Sequence, residues 1–228
     1  MSRPVIAILA SGEGTTAEAF IRASAQNQIE PVVGLIIASN AKAGILQRVV
    51  NLNKEYDLDI TAIHIGKKTH PPTAAETVGP GQQTQAEEAA ILELLQAGNF
   101  DGIVLMGYAK KVGPQLVHTF GWQPNYTSPH QAMMLNTHPG LLPDTKGLFG
   151  VHVQEHVLAN SLPHGGQTLH IVAEDYDEGP VVIEHKVAVM SDDTADSLFD
   201  RVRDTEKSYL PQDVAQFIAD RKRKRRTL

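Results

Sequence analysis

Val5-Ile6-Ala7-Ile8-Leu9-Ala10-Ser11-Gly12-Glu13-Gly14-Thr15-Thr16-Ala17 joins an apolar run, a glycine turn and the start of a helix-forming segment. The run is short, rich in β-branched residues and apolar at every position, as a strand buried on both faces must be. The glycines let the backbone approach an anion, and free amides at a helix N-terminus bind one. Thr15 and Thr16 add hydroxyl donors. Gly12, Gly14 and Ala17 meet a loose dinucleotide fingerprint, but that fingerprint needs an acidic residue after the second strand. Ala38-Ser39-Asn40 stands there instead. A nucleotide P-loop needs a Gly-Lys-Ser/Thr ending, which this loop lacks. A single phosphate monoester fits best, and a tight turn without a ligand is the alternative.

Similar runs recur downstream. Pro31–Ala38, Ile60–Ile65, Gly102–Met106 and Ala132–Asn136 read as strands. Ala43–Tyr56, Gln85–Ala97, Gly113–Phe120 and Val151–Leu158 read as helices. Alternating strands and helices predict an α/β fold with a mostly parallel sheet covered on both faces. Gln167–Ala173 and Val181–Val189 flank a turn and predict an antiparallel C-terminal strand pair. Thr194–Asp220 is a long helical region with apolar Leu198, Val202, Tyr209, Leu210, Val214 and Phe217; Pro211 is expected to break or kink it. Lys67–Thr84 (67–84) and Gly121–His130 (121–130) are irregular inserts. No composition shift divides the chain, so 1–228 reads as a single domain. Ligands of such sheets sit beyond the strand C-termini, near the switch in strand order.

The 228 residues are 42% hydrophobic and 20% charged, ample for a core. There is no cysteine, which excludes disulfides, zinc thiolates and thiol catalysis. No apolar run is long enough to span a bilayer, and the first residues do not read as a signal peptide. The expectation is a cytoplasmic protein without membrane partners. A net charge of −6 gives no push toward nucleic acid. Arg221 to Arg226, within the 221–228 tail, read as a solvated, frayed terminus.

Chemistry concentrates in Met134-Leu135-Asn136-Thr137-His138-Pro139-Gly140-Leu141-Leu142-Pro143 and Asp175-Tyr176-Asp177-Glu178-Gly179-Pro180. Side chains at i and i+2 of a strand point the same way, so Asn136 and His138 can share one pocket. An amide, an imidazole and the carboxylate of Asp177 are the parts needed to move an acyl group to an amine. The amide and imidazole can donate to a tetrahedral oxyanion, while His138 and Asp177 handle protons. Beside Asp177, His138 is expected to have a raised pKa. Taken singly, the three read equally well as a cap, a buried histidine and an Asx turn. His152-Val153-Gln154-Glu155-His156 matches a zinc-peptidase pattern, but no third ligand is evident, so it reads as a partly exposed helix and no metal is expected.

From about Val5 to Pro211, these segments resemble the phosphoribosylglycinamide formyltransferases, within the folate-dependent formyltransferase family. The strongest parts are Asn-x-His-Pro-x-Leu-Leu-Pro at Asn136–Pro143, Asp-x-Gly-Pro at Asp177–Pro180 and the Ser-Gly-x-Gly-Thr loop; Ala38–Gly44 also looks like the family's loop after the second strand. The resemblance implies a Rossmann-like, doubly wound formyltransferase fold. It implies transfer of formyl from 10-formyltetrahydrofolate, as cosubstrate, to glycinamide ribonucleotide in purine synthesis, by a monomer or homodimer. By the same resemblance Asn136, His138 and Asp177 are catalytic. Gly12, Glu13, Gly14, Thr15, Thr16, Arg203 and Glu206 would hold the phosphate and ribose. Met106, Gly107, Tyr108, Ala109, Lys110, Lys111, Val112, Ala173, Glu174 and Asp175 would meet the folate.

This chain departs from the family pattern in places. Thr16 stands where an Asn is usual, and Ala109-Lys110 where a Met-Arg pair is usual. Lys keeps the charge but loses the bidentate fork. Both inserts are longer than usual. Formyltetrahydrofolate hydrolysis, or transfer to another amine such as an amino-sugar nucleotide, uses the same triad and remains the alternative. A non-catalytic folate- or phosphate-binding protein is the reading from another class.

Overall fold

A computed structural model describes residues 2–225. The elements are β1 (Val5–Ala10), α1 (Thr15–Ala25), β2 (Val32–Ala38), α2 (Gly44–Tyr56), β3 (Thr61–His64), α3 (Gln85–Ala97), β4 (Gly102–Leu105), α4 (Pro114–Phe120), β5 (Met134–His138), α5 (His152–Ala159), β6 (His164–Ile171), β7 (Val181–Ala188) and α6 (Ala195–Arg225). They form one seven-stranded sheet in the order β3-β2-β1-β4-β5-β6-β7. Strands β1 to β5 pair in parallel, β6 is antiparallel to β5, and β7 is antiparallel to β6. The expected mixed sheet is therefore present.

The first strand shows why its sequence is apolar throughout. Ile6, Ile8 and Ala10 pack on one side with Phe20 of α1, Val49 of α2 and Phe217 of α6. Ala7 and Leu9 pack on the other with Ile91 of α3 and Leu116 of α4. Alternate residues feed opposite cores, and full burial of each large side chain stabilises by about 1.5–3 kcal/mol.

Of the expectations about the C-terminal region, a break at Pro211 and a frayed start of the basic run are corrected. Helix α6 runs through Pro211 without ending. Leu210, Val214, Phe217 and Ile218 are all buried around it, and their packing outweighs a proline cost of about 3 kcal/mol. Tyr209 faces outward and stacks on His185, ring centroids 4.3 Å apart. The start of the basic run is not a frayed tail: Arg221 is 4% exposed and donates to the carbonyls of Ala132 (2.9 Å) and Asp101 (3.3 Å). Lys222 pairs with Asp101 at 2.9 Å. The sheet end offers carbonyls and a carboxylate, and these two cations satisfy them. Residues 226–228 of the tail lie outside the described residues.

The sheet changes direction between β1 and β4. There the Ser11 amide donates to Gly107 O (3.1 Å), and the Ala109 amide donates to Ser11 Oγ (2.8 Å). The loops after the two strands are thus joined. Insert 67–84 is tied to the second loop: Lys111 N donates to Gly81 O (2.7 Å) and Gln83 Nε2 to the Tyr108 hydroxyl (2.8 Å). It ends in a capping box at Thr84 and Glu87 that starts α3. Insert 121–130 packs Trp122 edge-on to Tyr126, and Ser128 caps a 3₁₀ turn at Pro129–Gln131.

Candidate active site

The glycine loop enters α1 through Gly14, in the left-handed region at φ 71°. A Cβ on Gly14 would lie 2.5 Å from Ile45 Cβ, so only glycine fits on both counts. No side chain caps α1, which leaves its first-turn amides for a ligand. Glu13 is exposed, and its carbonyl accepts from Arg48 Nε at 2.7 Å. Thr16 Oγ1 donates to Glu206 Oε2 (2.9 Å), and Thr137 Oγ1 donates to Glu206 Oε1 (2.6 Å). Glu206 therefore ties the loop to β5. Burial pushes its carboxyl pKa up, against the lowering effect of both hydroxyls. Arg203 stays half-exposed beside Asp200 and the Phe199 ring.

Asn136 and His138 share a face of β5, as their spacing predicts. Their partners come from β6 and two loops. Asn136 Nδ2 lies 3.0 Å from His170 Nε2, and His170 Nδ1 lies 3.0 Å from Ile171 O. A carbonyl can only accept, so His170 Nδ1 donates to Ile171 O, while its Nε2 faces both the Asn136 amide and Asp177. Asp177 Oδ1 is 3.4 Å from His170 Nε2, and Asp177 Oδ2 is 3.6 Å from His138 Nδ1. Oδ2 also accepts from Gly147 N at 2.9 Å. Asp177 is itself left-handed, at φ 57°, a conformation aspartate tolerates better than most side chains. Gly179 lets this loop close on β6, since a Cβ there would sit 1.8 Å from Ile171 O.

The expected rise in the His138 pKa is reversed. Burial of this ring, 3% exposed, holds its pKa below the ordinary histidine value. Asp177 pulls the other way and His170 adds to the lowering, and burial prevails. For Asp177, burial acts to raise the pKa, but the His170 hydrogen bond, the His138 charge and the Gly147 amide together hold it low. The resting pair is a neutral imidazole facing a carboxylate.

An open cleft of about 60 Å³ adjoins this cluster. Asn136, His170 and Asp177 wall one end; Leu105, Tyr108, Val112 and Val172 give it apolar sides; residues 173–176 close the rim. Met106 points into the core instead. Lys110 is at the wall, but its ammonium pairs with buried Glu87. Lys111 is half-exposed, 3.8 Å from Asp175 and 5.6 Å from the Tyr176 ring centre.

The zinc pattern on α5 resolves into local pairs. His152 Nδ1 is 2.7 Å from Glu155, and His156 lies beside Asn160. Among the described residues no group of three or more His, Asp or Glu side chains is arranged to hold a metal. No helix among them is long and apolar enough to cross a membrane.

Two members of the cluster escaped sequence reasoning. His170 is a polar residue inside the apolar run Leu169–Val172, and that interruption was the available signal. Thr145 Oγ1 lies 2.9 Å from His138 Nε2, and nothing in the local sequence marks it.

The formyl transferase family profile matches residues 5–214. The phosphoribosylglycinamide formyltransferase of Escherichia coli (strain K12) is 27% identical over 216 residues, covering 95% of this chain and 88% of that protein. A glycinamide ribonucleotide transformylase 1 from Symbiobacterium toebii superposes with a TM-score of 0.78 at 28% identity, over 96% of this chain and 89% of its own. A formyltetrahydrofolate deformylase from Pseudomonas syringae pv. tomato str. DC3000 shares the fold at 20% identity and a TM-score of 0.74, over 96% of this chain and 62% of its own. The conserved architecture and the profile across nearly the whole length agree: this chain belongs to the formyl transferase family.

Proposed function

We propose that the protein transfers a formyl group from 10-formyltetrahydrofolate to the amine of glycinamide ribonucleotide, in the cytoplasm, as a step of purine synthesis. The single observation that carries this reading is the position of Asn136, His138 and Asp177. Asn136 and Asp177 wall the end of an apolar-sided cleft with His138 packed against Asp177, and Glu206 links β5 to the uncapped glycine loop. Relatives that match over most of the chain bear the corresponding name.

The cavity suits the folate: its apolar walls fit a flat heteroaromatic ring, and Lys111 at the rim offers charge to an anionic tail. Bound there, the folate supplies the formyl carbon. Gly12 to Thr16 hold the ribonucleotide phosphate with backbone amides and the Thr15 hydroxyl, and Arg203 adds charge from α6. Glu206 keeps acceptor capacity for a ribose hydroxyl beyond its two threonines.

At the reacting end, Asn136 has a second amide hydrogen with no protein acceptor among the described residues. It donates to the oxygen that becomes negative as the amine attacks. His138, neutral at rest, takes the proton lost by the amine at Nδ1, directly or through water. The resulting imidazolium faces Asp177 at 3.6 Å, an attraction on the order of 4 kcal/mol in a partly buried setting. As the tetrahedral intermediate collapses, the imidazolium gives that proton to the folate nitrogen, whose bond to the formyl carbon breaks, and the formyl group stays on the amine. His170 holds the Asn136 amide in place.

Asn136→Ala tests this reading. It is expected to lower kcat by about 10²–10³ while ribonucleotide binding persists. An unchanged kcat would contradict it.

A further inference from the structure

We propose that Arg48 is a positioning residue for the phosphate of the acceptor: it turns the backbone of the glycine loop so that the Gly14 amide faces the ligand, and it draws the Glu13 carboxylate aside. The proposal rests on the reading of this loop as the phosphate site.

In a trans peptide the carbonyl of one residue and the amide of the next point in opposite directions. The only cis bond among the described residues is Leu142-Pro143, so the rule holds throughout the loop. Helix α2 takes two of the loop's carbonyls. Gly12 O accepts from the Ile45 amide at 3.4 Å, and Glu13 O accepts from Arg48 Nε at 2.7 Å. The amides of Glu13 and Gly14 therefore point away from α2. Neither donates to any group among the described residues. Gly14 is left-handed, at φ 71° and ψ 28°, and leads into the uncapped first turn of α1. Successive free amides around such a residue form a concavity that receives an anion. The Ile45 bond is long, so Arg48 is the firmer of the two holds.

Arg48 also answers for the acid in this loop, which would repel a phosphate if it turned inward. Glu13 Oε2 lies 3.6 Å from Arg48 Nη2, and the carboxylate rests beside Gly44, the first residue of α2. No side chain caps that helix end, which favours negative charge there. The ion pair is largely exposed and weak, so the carbonyl bond carries most of the effect. The guanidinium is itself fixed: Nη1 donates to Glu18 Oε2 at 2.5 Å, and Glu18 is shared with Arg22 at 2.9 Å. A lysine keeps the charge but lacks this fork.

The test pairs two acceptors, glycinamide ribonucleotide and its dephosphorylated riboside, with a titration of inorganic phosphate followed by amide NMR. Arg48→Met keeps an aliphatic stem and removes the donors; Glu18 retains Arg22. Its KM for the ribonucleotide should rise roughly tenfold, with kcat within about threefold of wild type. Its kcat/KM for the riboside should match wild type, so the preference for the phosphorylated acceptor narrows by the same factor. Arg48→Lys should fall between the two. On adding phosphate, the Glu13 and Gly14 amide protons of wild type should shift downfield, and the Gly14 shift should shrink in Arg48→Met. Should Arg48→Met fail to fold, Arg48→Lys carries the decision. An unchanged preference in the variants overturns the proposal, as does an equal loss with both acceptors, which marks a purely structural role. A wild type that formylates neither acceptor overturns the reading of function. The phosphate titration then decides the role of Arg48 alone: a smaller Gly14 shift in the variant upholds it, and a shift equal in both proteins, or absent from both, overturns it.

Discussion

Lys110→Ala removes the cation that faces a carboxylate with almost no solvent. Glu87 is 1% exposed; its Oε2 accepts from the Thr84 amide at 2.7 Å, and its Oε1 pairs with the Lys110 ammonium. Deleting one partner of such a pair costs about 3–5 kcal/mol, because the other charge stays buried. The Thr84 amide remains, and the Lys110 side chain is 14% exposed, so the lower end applies, about 3 kcal/mol. For a domain of this size that is a fall in Tm of roughly 6–12 °C. Lys111→Ala is the control: its partner Asp175 is 3.8 Å away and largely exposed, so the loss should stay below about 1 kcal/mol. Urea denaturation of both variants separates them, and the double variant Lys110→Met, Glu87→Gln should recover most of the loss. Equal stability of the two single variants would refute the assignment of Lys110 to the α3 cap. It would return that lysine to the folate tail, where Lys111 is expected to act and where Lys111→Ala should raise the folate KM.

Four further outcomes follow from burial and geometry. Because burial lowers the His138 pKa, the proton-accepting form persists below pH 6.5, and the acid limb of kcat should have its midpoint under that value; a midpoint above it contradicts the account. The same depression means the unfolded chain binds that proton first, so this group's contribution to stability is lost as pH falls below 6.5. Gly14→Ala combines left-handed strain with the 2.5 Å approach to Ile45 and should cost roughly 2–4 kcal/mol, with a raised ribonucleotide KM; a loss under about 1 kcal/mol in thermal denaturation would show that the loop adapts. Arg221→Ala should destabilise by about 2–3 kcal/mol, since it strips a charged donor from two carbonyls, whereas a solvated tail would give no change.

Much of the fold is legible because the physics is local. A strand covered on both faces must be apolar throughout, and β1 is. Asn136 and His138 share a face because a strand repeats every two residues. The glycine loop declares itself through Gly14, whose conformation excludes other side chains. What escaped depends on pairing across the chain. His170 meets Asn136 only because β6 runs antiparallel to β5 in a register that sets the two opposite each other. Arg221 is buried only because α6 continues past Pro211 to reach Asp101 and Ala132. The His138 pKa went the other way because its sign depends on depth of burial, while a sequence displays only the neighbouring carboxylate. Lys110 shows the same gap, since its partner Glu87 lies on α3, across an insert whose path no local pattern gives.

Release of the folate product from a 10-formyl folate by the purified protein, measured with and without glycinamide ribonucleotide, bears most directly on the proposed reaction. The account predicts turnover that depends strictly on the ribonucleotide and yields its formylated amine. Equal release without the ribonucleotide would make water the acceptor and contradict it.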